Sequence, residues 1–343
     1  PSDLTKVLLR MLANPNIASK IWVYGQYDHE VGIRTVVKPG QDASVLRLDN
    51  GKFLAVKIDG NSKHCYVDPR QGAIGCFEEA CRNVVCTGAT PIGMVDHLQF
   101  GNPEDPEIFW TFKESLEGIT DFAKYSEIPC VGGKVSFYNE TDDGSIKPTP
   151  LIGVLGLIEK KPLRPQKISQ NDFLVIIGET KDELGGSEYY EYIHNLIGGS
   201  CPVVDFKHSK TTIDAVLNII DRNLVNCVHD CSKGGIAIAV SELCINNQVG
   251  CVASLEEIPG QKLKPDELLF SESHSRYVLV VNPKNIKKVT DLLEQKGVPY
   301  GTVGKFSDSS IVFKNKTKKI IDLRIDKAQE KWLNSLESLV AHG

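Results

Sequence analysis

Apolar positions in the first half of the chain recur at two spacings, which separate helices from strands. Spacings of three and four residues predict helices at residues 3–12, 72–89 and 108–125, and Gly88 marks the end of the second helix. Short apolar runs predict strands at residues 91–98, 128–135 and 151–158. A turn signal at residues 49–51 joins two further strands, 44–48 and 53–58, into a hairpin.

The second half repeats this mixture after a segment that contains prolines. Residues 160–170, with Pro162 and Pro165, are typical of a connection between domains. Beyond them the pattern predicts strands at 173–177, 227–228, 277–281, 299–305 and 310–313, and helices at 235–245, 286–295 and 326–340. We therefore predict an α+β, or mixed α/β, fold in two domains. Its parts are a lead-in helix and extended segment at residues 1–40, an N-terminal domain at 41–165 and a C-terminal domain at 166–343.

Charge and composition exclude several classes of protein. The 343 residues include 39 Lys and Arg and 44 Asp and Glu, and they lack the basic blocks with which proteins bind nucleic acid or membrane surfaces. The apolar runs are far shorter than the ~20 residues of a membrane-spanning helix. The ten cysteines form no C-x-x-C pair, so we expect a reduced, buried set in a cytoplasmic protein. Because the first residue is Pro1 rather than Met, we expect the chain to come from a longer one.

Polar side chains stand at the ends of several predicted elements. Asp59 follows the strand 53–58, Asp96 ends the apolar part (residues 91–95) of the strand 91–98, and Asp230 follows a strand of the second half. Glu79 and Asn83 lie four residues apart, on one face of a predicted helix. Carboxylate and amide oxygens are the ligands that Mg²⁺ prefers. Each residue alone is more typical of a cap, a turn or a solvated helix face, and the common nucleotide-binding signatures are missing.

Several longer stretches identify a family. VDPRQG at residues 67–72, EACRNVVCTGATP at 79–91, DHLQFGNPE at 96–104 and GKVSFYNE at 133–140 resemble the second half of phosphoribosylformylglycinamidine synthase. The resemblance continues with LGGSE at 184–188, HDCSKGG at 229–235 and FSESHSR at 270–276. The wider superfamily includes aminoimidazole ribonucleotide synthetase and selenophosphate synthetase, which also use ATP.

The resemblance implies a fold, a reaction and partners. It implies one of two tandem copies of a two-domain unit, with an N-terminal β-sheet domain that binds ATP and substrate at a shared barrel-like interface, and a C-terminal α/β sandwich domain. The implied ligase reaction converts formylglycinamide ribonucleotide, ATP and ammonia to formylglycinamidine ribonucleotide, ADP and phosphate in purine biosynthesis. The implied partners are the first half of the synthase, a glutaminase subunit that supplies ammonia and a small accessory subunit; a homodimer of this chain is a further expectation.

The resemblance also assigns roles to residues of the first domain. Asp96 and Gly133 match positions that contact ATP, and Ser136 matches one that contacts substrate. Lys134 stands where the family has an Asn that ligates Mg²⁺, and a protonated lysine cannot ligate a metal. We expect Lys134 to contact phosphate instead; the alternatives are a lost metal site and a lysine that points to solvent. The family's catalytic histidines belong to the other copy, so no catalytic residue is assigned here and the isolated chain is expected to be inactive.

An auxiliary site for a nucleotide and Mg²⁺ is implied as well. The matching residues are the metal ligands Asp59, Glu79, Asn83 and Asp230, with Ser232 as a nucleotide contact. Beside them Lys233 replaces the usual acidic residue of the family, and this departure argues against an occupied site.

Two other functions stay open at this point. The first alternative is a nucleotide-binding scaffold without turnover of its own. The second is a stand-alone ATP-using enzyme of the aminoimidazole ribonucleotide synthetase or selenophosphate synthetase type. The length of the whole gene product distinguishes a tandem synthase from these homodimeric relatives.

Overall fold

Two β-sheets organise the chain, which a computed structural model describes over residues 1–164 and 167–342. The first half contains strands β1 (Thr35–Val37), β2 (Ser44–Arg47), β3 (Phe53–Asp59), β4 (Thr90–Gln99), β5 (Cys130–Ser136), β6 (Glu140–Thr141), β7 (Gly144–Ser145) and β8 (Thr149–Ile158). Its helices are α1 (Leu4–Leu12), α2 (Ile21–Tyr24), α3 (Ser62–Val67), α4 (Pro69–Val85) and α5 (Pro106–Ser126). Six strands form one sheet in the order β1-β2-β3-β8-β4-β5, in which β4 and β5 are parallel.

The second half builds a seven-stranded sheet. Its strands are β9 (Phe173–Ile177), β10 (Cys227–Asp230), β11 (Cys251–Ser254), β12 (Tyr277–Val281), β13 (Tyr300–Phe306), β14 (Ser310–Asn315) and β15 (Lys318–Arg324), in the order β10-β12-β9-β13-β11-β14-β15. Its helices are α6 (Glu188–His194), α7 (Phe206–Asp221), α8 (Gly235–Asn247), α9 (Pro265–Phe270), α10 (Ile286–Lys296) and α11 (Ile325–His342). The prediction of a mixed α/β fold in two domains is confirmed.

Helix α4 lies against the first sheet, and nearly all of its side chains are buried. Asp68 caps the helix by accepting a hydrogen bond from the Gln71 backbone N–H at 2.9 Å, and Pro69 occupies the first turn. The helix therefore begins three residues before the predicted start at Gly72. A Cβ at residue 72 would lie 2.4 Å from the Cys65 backbone nitrogen, so a glycine is needed where α3 and α4 touch.

Helix α1 packs on the second domain although it precedes the first domain in sequence. Leu8, Met11 and Leu12 are buried in the same core as strands and helices of the second half. Asp3 caps α1 by accepting from the Lys6 backbone N–H, as the predicted start at residue 3 implies. The extended segment expected at its end instead contains α2, a short 3₁₀ turn at Val31–Ile33 and β1.

The two faces of the first sheet differ in what covers them. Ile152 and Val154 of β8 are fully buried beneath α4. The opposite face of the sheet also carries apolar side chains from the neighbouring strands, but these are exposed: Ile58 is 65% exposed and Val95 is 39% exposed. The sheet is open in the described chain, with β1 and β5 at its edges, so the barrel-like centre is not closed by this chain alone.

Several elements differ from the sequence prediction. The segment containing α6 and α7 was not predicted, because the buried face of α7 carries Ser209 and Thr212 beside Ala215, which hides its apolar period. Cys130 is exposed, whereas the other nine cysteines are buried as expected. In the predicted connection at residues 160–170, Pro165 and the boundary beside it lie outside the described residues. Every described helix is too short or too polar to cross a bilayer.

Candidate functional site

Asp59, Asp96 and Gly133 lie in one row across the first sheet. Asp59 on β3 and Asp96 on β4 both pair with Ile152 of β8, from opposite sides, and Asp96 pairs with Gly133 on its other side. Paired residues of neighbouring strands point to the same face, and strands lie roughly 5 Å apart, which places the two aspartates about 10 Å from each other. The row links the residues predicted to contact ATP with those predicted for the auxiliary site.

Gly133 leaves room for the carboxylate of Asp96. A Cβ at residue 133 would lie 2.5 Å from Oδ1 of Asp96, closer than any side chain tolerates. The Cys130 thiol donates to Oδ2 of Asp96 at 3.5 Å. Asp96 is partly exposed and β5 is an edge strand, so this carboxylate and the bare backbone beside it are open to a ligand.

Lys134 and Ser136 lie on the other face of β5. Successive strand residues alternate between faces, so Lys134 shares a face with its register partner His97, opposite to Asp96 and Gly133. Lys134 is exposed, and the hydroxyl of Ser136 donates to Oδ1 of Asn139 at 3.3 Å. We call the face of the sheet that carries His97 and Lys134 the outer face. Lys134 can contact phosphate only if the phosphates of ATP reach this outer face, and the contact stays a prediction.

The four predicted metal ligands converge between the two domains. Asp59, Glu79 and Asn83 belong to the first domain and Asp230 ends β10 of the second. Nδ2 of Asn83 donates to Oδ2 of Asp230 at 3.2 Å and to Oδ2 of Asp59 at 3.4 Å. All four side chains are buried, so Glu79 and Asn83 do not form a solvated helix face. The family resemblance, rather than position and spacing alone, identified these four residues as a group.

Basic side chains pair with the carboxylates of this group. Nζ of Lys233 lies 3.3 Å from Oδ1 of Asp59 and 3.5 Å from Oε1 of Glu79. Nε of Arg82 donates to Oδ1 of Asp230 at 2.5 Å, and Arg82 also pairs with Glu78. Each buried carboxylate thus has a charged partner, as low-dielectric surroundings demand.

Burial and charge shift the pKa values of the group in opposite directions. Burial, followed by the negative charge of Asp59, raises the pKa of Glu79 well above its usual value. Burial also acts to raise the pKa of Asp59, but Lys233 and Lys57 outweigh it and lower that pKa. Burial acts to lower the pKa of Lys233, yet Glu79 and Asp59 raise it well above normal, so Lys233 is held as an ammonium ion.

A cavity of about 580 Å³ opens beside this group, and Ser232 lies in its wall. The His229 ring bridges two carboxylates there, with Nδ1 2.8 Å from Asp42 and Nε2 3.1 Å from Glu242. Burial acts to lower the pKa of His229, but Asp42 and Glu242 raise it well above its usual value. In the cavity wall, His229 therefore bridges Asp42 of the first domain and Glu242 on α8 of the second.

The residues of the group do not fit the Mg²⁺ site that the resemblance implies. Among the residues that the structure describes, no three His, Cys, Asp or Glu side chains are grouped so as to hold a metal ion. The amide nitrogen of Asn83 faces the carboxylates, whereas a metal would need the amide oxygen. The ammonium of Lys233 lies between Asp59 and Glu79, where a cation would be bound. We therefore assign no metal to this group.

Sequence reasoning missed three of the charged residues at this site. Lys57 precedes Asp59 by two positions on β3, and that spacing signals a shared face. Arg82 follows Glu78 by four positions on α4, a spacing that signals an ion pair. Asp42 has no comparable signal, because it lies in a loop and meets its partner His229 only through the fold.

Family comparisons agree with this architecture. The model for the N-terminal domain of AIR synthase related proteins matches residues 40–158, and the model for their C-terminal domain matches residues 169–314. The chain therefore belongs to the AIR synthase related proteins. Within this family it is similar to phosphoribosylformylglycinamidine synthase subunit PurL: 41% identical to that of Methanocaldococcus jannaschii and 39% to that of Moorella thermoacetica, each over 99% of this chain.

The chain spans about half the length of the curated relatives that it matches, 47% and 46% in these two cases. Solved structures share its fold. PurL of Thermotoga maritima complexed with FGAR has a TM-score of 0.76 at 19% identity, over 94% of this chain and 53% of that chain. The same protein complexed with ATP has a TM-score of 0.72 at 20% identity, over 94% and 52%. The resemblance to this synthase is confirmed at the level of family and fold, and the match to its second half stays a prediction.

Proposed function

We propose that this chain forms half of an ATP-dependent carbon–nitrogen ligase. The enzyme converts formylglycinamide ribonucleotide, ATP and ammonia into formylglycinamidine ribonucleotide, ADP and phosphate, as the resemblance implies. The observation that carries this proposal is the partly exposed Asp96 carboxylate beside Gly133, in a chain that is 41% identical to a PurL subunit over 99% of the chain's own length. A cytoplasmic location, with reduced thiols, is part of the same proposal.

The proposed reaction has two steps. The γ-phosphoryl group of ATP is transferred to the amide oxygen of the substrate, and ADP leaves. Ammonia then attacks the activated carbon and loses protons, the C–O bond breaks, and the amide oxygen departs in phosphate. Catalysis of phosphoryl transfer rests on positioning and on charge stabilisation rather than on covalent groups of the protein.

In this scheme the residues of β4 and β5 bind and orient the reactants. Asp96 and the Gly133 backbone contact ATP, Ser136 contacts the substrate, and Lys134 contacts phosphate from the outer face of the sheet. Mg²⁺ arrives bound to the phosphates of ATP, a mode of binding that needs few protein ligands.

Ser232, in the wall of the cavity between the domains, is proposed to contact an auxiliary nucleotide. We assign no general base to this chain, because the family's catalytic histidines are expected in the other copy.

The open sheet supports the proposal that a second unit completes the site. The apolar face around Ile58 and Val95 and the unpaired edge of β5 are exposed together. Exposed apolar patches and free strand edges mark interaction surfaces. We propose that this surface meets the first half of the synthase or, in the isolated chain, a second copy. A glutaminase subunit and a small accessory subunit are proposed as further partners; the solved PurLQS structure of Thermotoga maritima shares this fold.

Turnover by the protein that contains this chain tests the proposal. Mass spectrometry should detect formylglycinamidine ribonucleotide when formylglycinamide ribonucleotide, ATP and ammonium are supplied. Asp96→Asn should lower the rate by about 10²-fold, because misplacing a bound reactant by about 1 Å can cost that much in rate. Asp291→Asn on α10 serves as the control. A stand-alone relative of the aminoimidazole ribonucleotide synthetase type would instead consume the amidine, and that outcome would overturn the proposal.

The scaffold hypothesis makes a different claim for the isolated 343-residue chain. We expect no amidine from this chain alone, and activity when its first-half partner is added. Product formation by the pure isolated chain would show that it carries its own catalytic groups. Absence of activity even in the reconstituted enzyme would favour a scaffold.

A further inference from the structure

Lys233 reaches from the second domain into a buried carboxylate pair of the first. It precedes α8, whereas Asp59 ends β3 and Glu79 lies on α4. Its Nζ atom lies 3.3 Å from Asp59 and 3.5 Å from Glu79, and only a quarter of its side chain is exposed. Asp59 and Glu79 are each 8% exposed as side chains, so bulk water does little to compensate their charge.

The other cations nearby are committed to other contacts or lie farther away. Arg82 is divided between Asp230 and Glu78. Nζ of Lys57 lies 3.8 Å from Oδ2 of Asp59 and comes from the same strand of the same domain. Among the described residues, Lys233 is thus the one cation that links both Asp59 and Glu79 to the second domain.

We propose that the ammonium of Lys233 takes the place of a divalent metal ion in this carboxylate pair. It closes the position to Mg²⁺ and supplies, at this carboxylate pair, the positive charge that ties Asp59 and Glu79 of the first domain to the second. The domain contact is therefore independent of metal in this protein. This inference does not depend on the proposed reaction, because it concerns a different end of the Asp59–Asp96 row.

The physical consequence of removing the ammonium is specific. A neutral side chain at residue 233 leaves two buried carboxylates facing each other without their shared partner, and breaking a buried pair in this way is strongly destabilising. Once the ammonium is gone, the two carboxylates offer oxygen ligands to a divalent cation, and the Asn83 amide adds its oxygen if it rotates. Loss of the lysine should thus convert a metal-independent contact into a metal-dependent one.

Manganese binding and thermal unfolding of the 343-residue chain test this proposal. Lys233→Met keeps the length of the side chain without its charge, Lys233→Arg keeps the charge, and Lys331→Met on exposed α11 is the matched control. Mn²⁺ uptake is measured by electron paramagnetic resonance, and melting temperatures are measured in EDTA and in millimolar Mn²⁺ or Mg²⁺.

We expect no specific Mn²⁺ uptake by the wild-type chain, by Lys233→Arg or by Lys331→Met, and melting temperatures that do not depend on metal. Lys233→Met should melt several degrees lower in EDTA, regain at least half of that loss with metal and bind one Mn²⁺. If Lys233→Met does not fold, the wild-type titration still decides. Stoichiometric Mn²⁺ uptake by the wild-type chain that Asp59→Asn abolishes would overturn the proposal, as would a Lys233→Met chain that folds and ignores metal.

Discussion

Asp59 and Asp96 flank the buried Ile152 in one row of the first sheet, about 10 Å apart, and their surroundings give them different roles. Asp59 is buried and contacts the ammonium groups of Lys233 and Lys57. Asp96 is partly exposed above the bare backbone of Gly133. One strand, β8, thus has the buried carboxylate of an interdomain contact on one side and a partly exposed carboxylate on the other.

Gly133→Ala should impair ATP use without unfolding the protein. The added Cβ would lie 2.5 Å from Oδ1 of Asp96, and the carboxylate can rotate away because it is the end of a side chain. We expect a loss of about 10²-fold in kcat/KM for ATP. Gly132→Ala is the control, because the nearest atom to its Cβ would be Val95 at 3.9 Å. Equal activities of the two variants would contradict the role of Asp96.

Lys134 offers a test of which face of β5 the phosphates approach. A charge-assisted contact to phosphate is worth roughly 1.5–3 kcal/mol, so Lys134→Ala should weaken Mg-ATP binding by ~10–150-fold in the reconstituted enzyme. Lys134→Asn should make binding more dependent on Mg²⁺, because it supplies an oxygen ligand. Calorimetric titration measures both, with exposed Lys124→Ala on α5 as the control. An unchanged affinity of Lys134→Ala would show that this lysine only faces solvent.

The sequence predicted what local pattern and motif length encode, and it missed what only the fold brings together. The family resemblance identified Asp59, Glu79, Asn83 and Asp230 as a group, and the structure does bring them together. Lys233, which pairs with Asp59 and Glu79 of that group, was singled out only because it replaces the usual acidic residue of the family. The bridge from Asp42 to His229 joins a loop to a strand of another domain, and no local spacing indicates it. Helix α7 was missed because hydroxyl side chains occupy part of its buried face.

His274 should make the folded protein sensitive to mild acid. Burial, and next the charge of Arg82, lowers the pKa of His274 well below its usual value, so the ring is neutral despite lying 3.5 Å from Glu78. Below the ordinary histidine pKa of about 6.5, the unfolded chain binds a proton that the folded chain does not. The contribution of His274 to the free energy of unfolding should therefore fall as the pH drops below that value, by at most about 1.4 kcal/mol per pH unit, and stay flat above it. The raised pKa of His229 acts in the other direction, because its contribution is lost as the pH rises above that value.

The variant His274→Gln isolates this contribution. Urea unfolding between pH 5 and pH 8 (roughly the range in which a free histidine titrates) should show a shallower pH dependence for His274→Gln than for the wild-type chain. His29 is partly exposed, and His29→Gln is the matched control variant. A pH dependence identical in wild type and His274→Gln would rule out a neutral buried histidine as the cause.

Ile58→Lys should weaken association through the open face of the first sheet. Ile58 is 65% exposed, and burial of such a side chain at an interface contributes about 1.5–3 kcal/mol. We expect the dissociation constant of the isolated chain's dimer to rise at least ~10-fold, as measured by light scattering over a micromolar range. Leu339→Lys on α11, also exposed, should have no effect. A wild-type chain that stays monomeric throughout would contradict this surface as a self-association site.

The fate of the substrate's amide oxygen tests the central claim most directly. Formylglycinamide ribonucleotide labelled with ¹⁸O at that oxygen is turned over with ATP and ammonium by the enzyme that contains this chain, and phosphate is examined by ³¹P NMR. The account predicts one labelled oxygen in each phosphate released and none in the amidine. Unlabelled phosphate, with the label released as water, would show that ATP does not activate the amide and would contradict the proposed ligase.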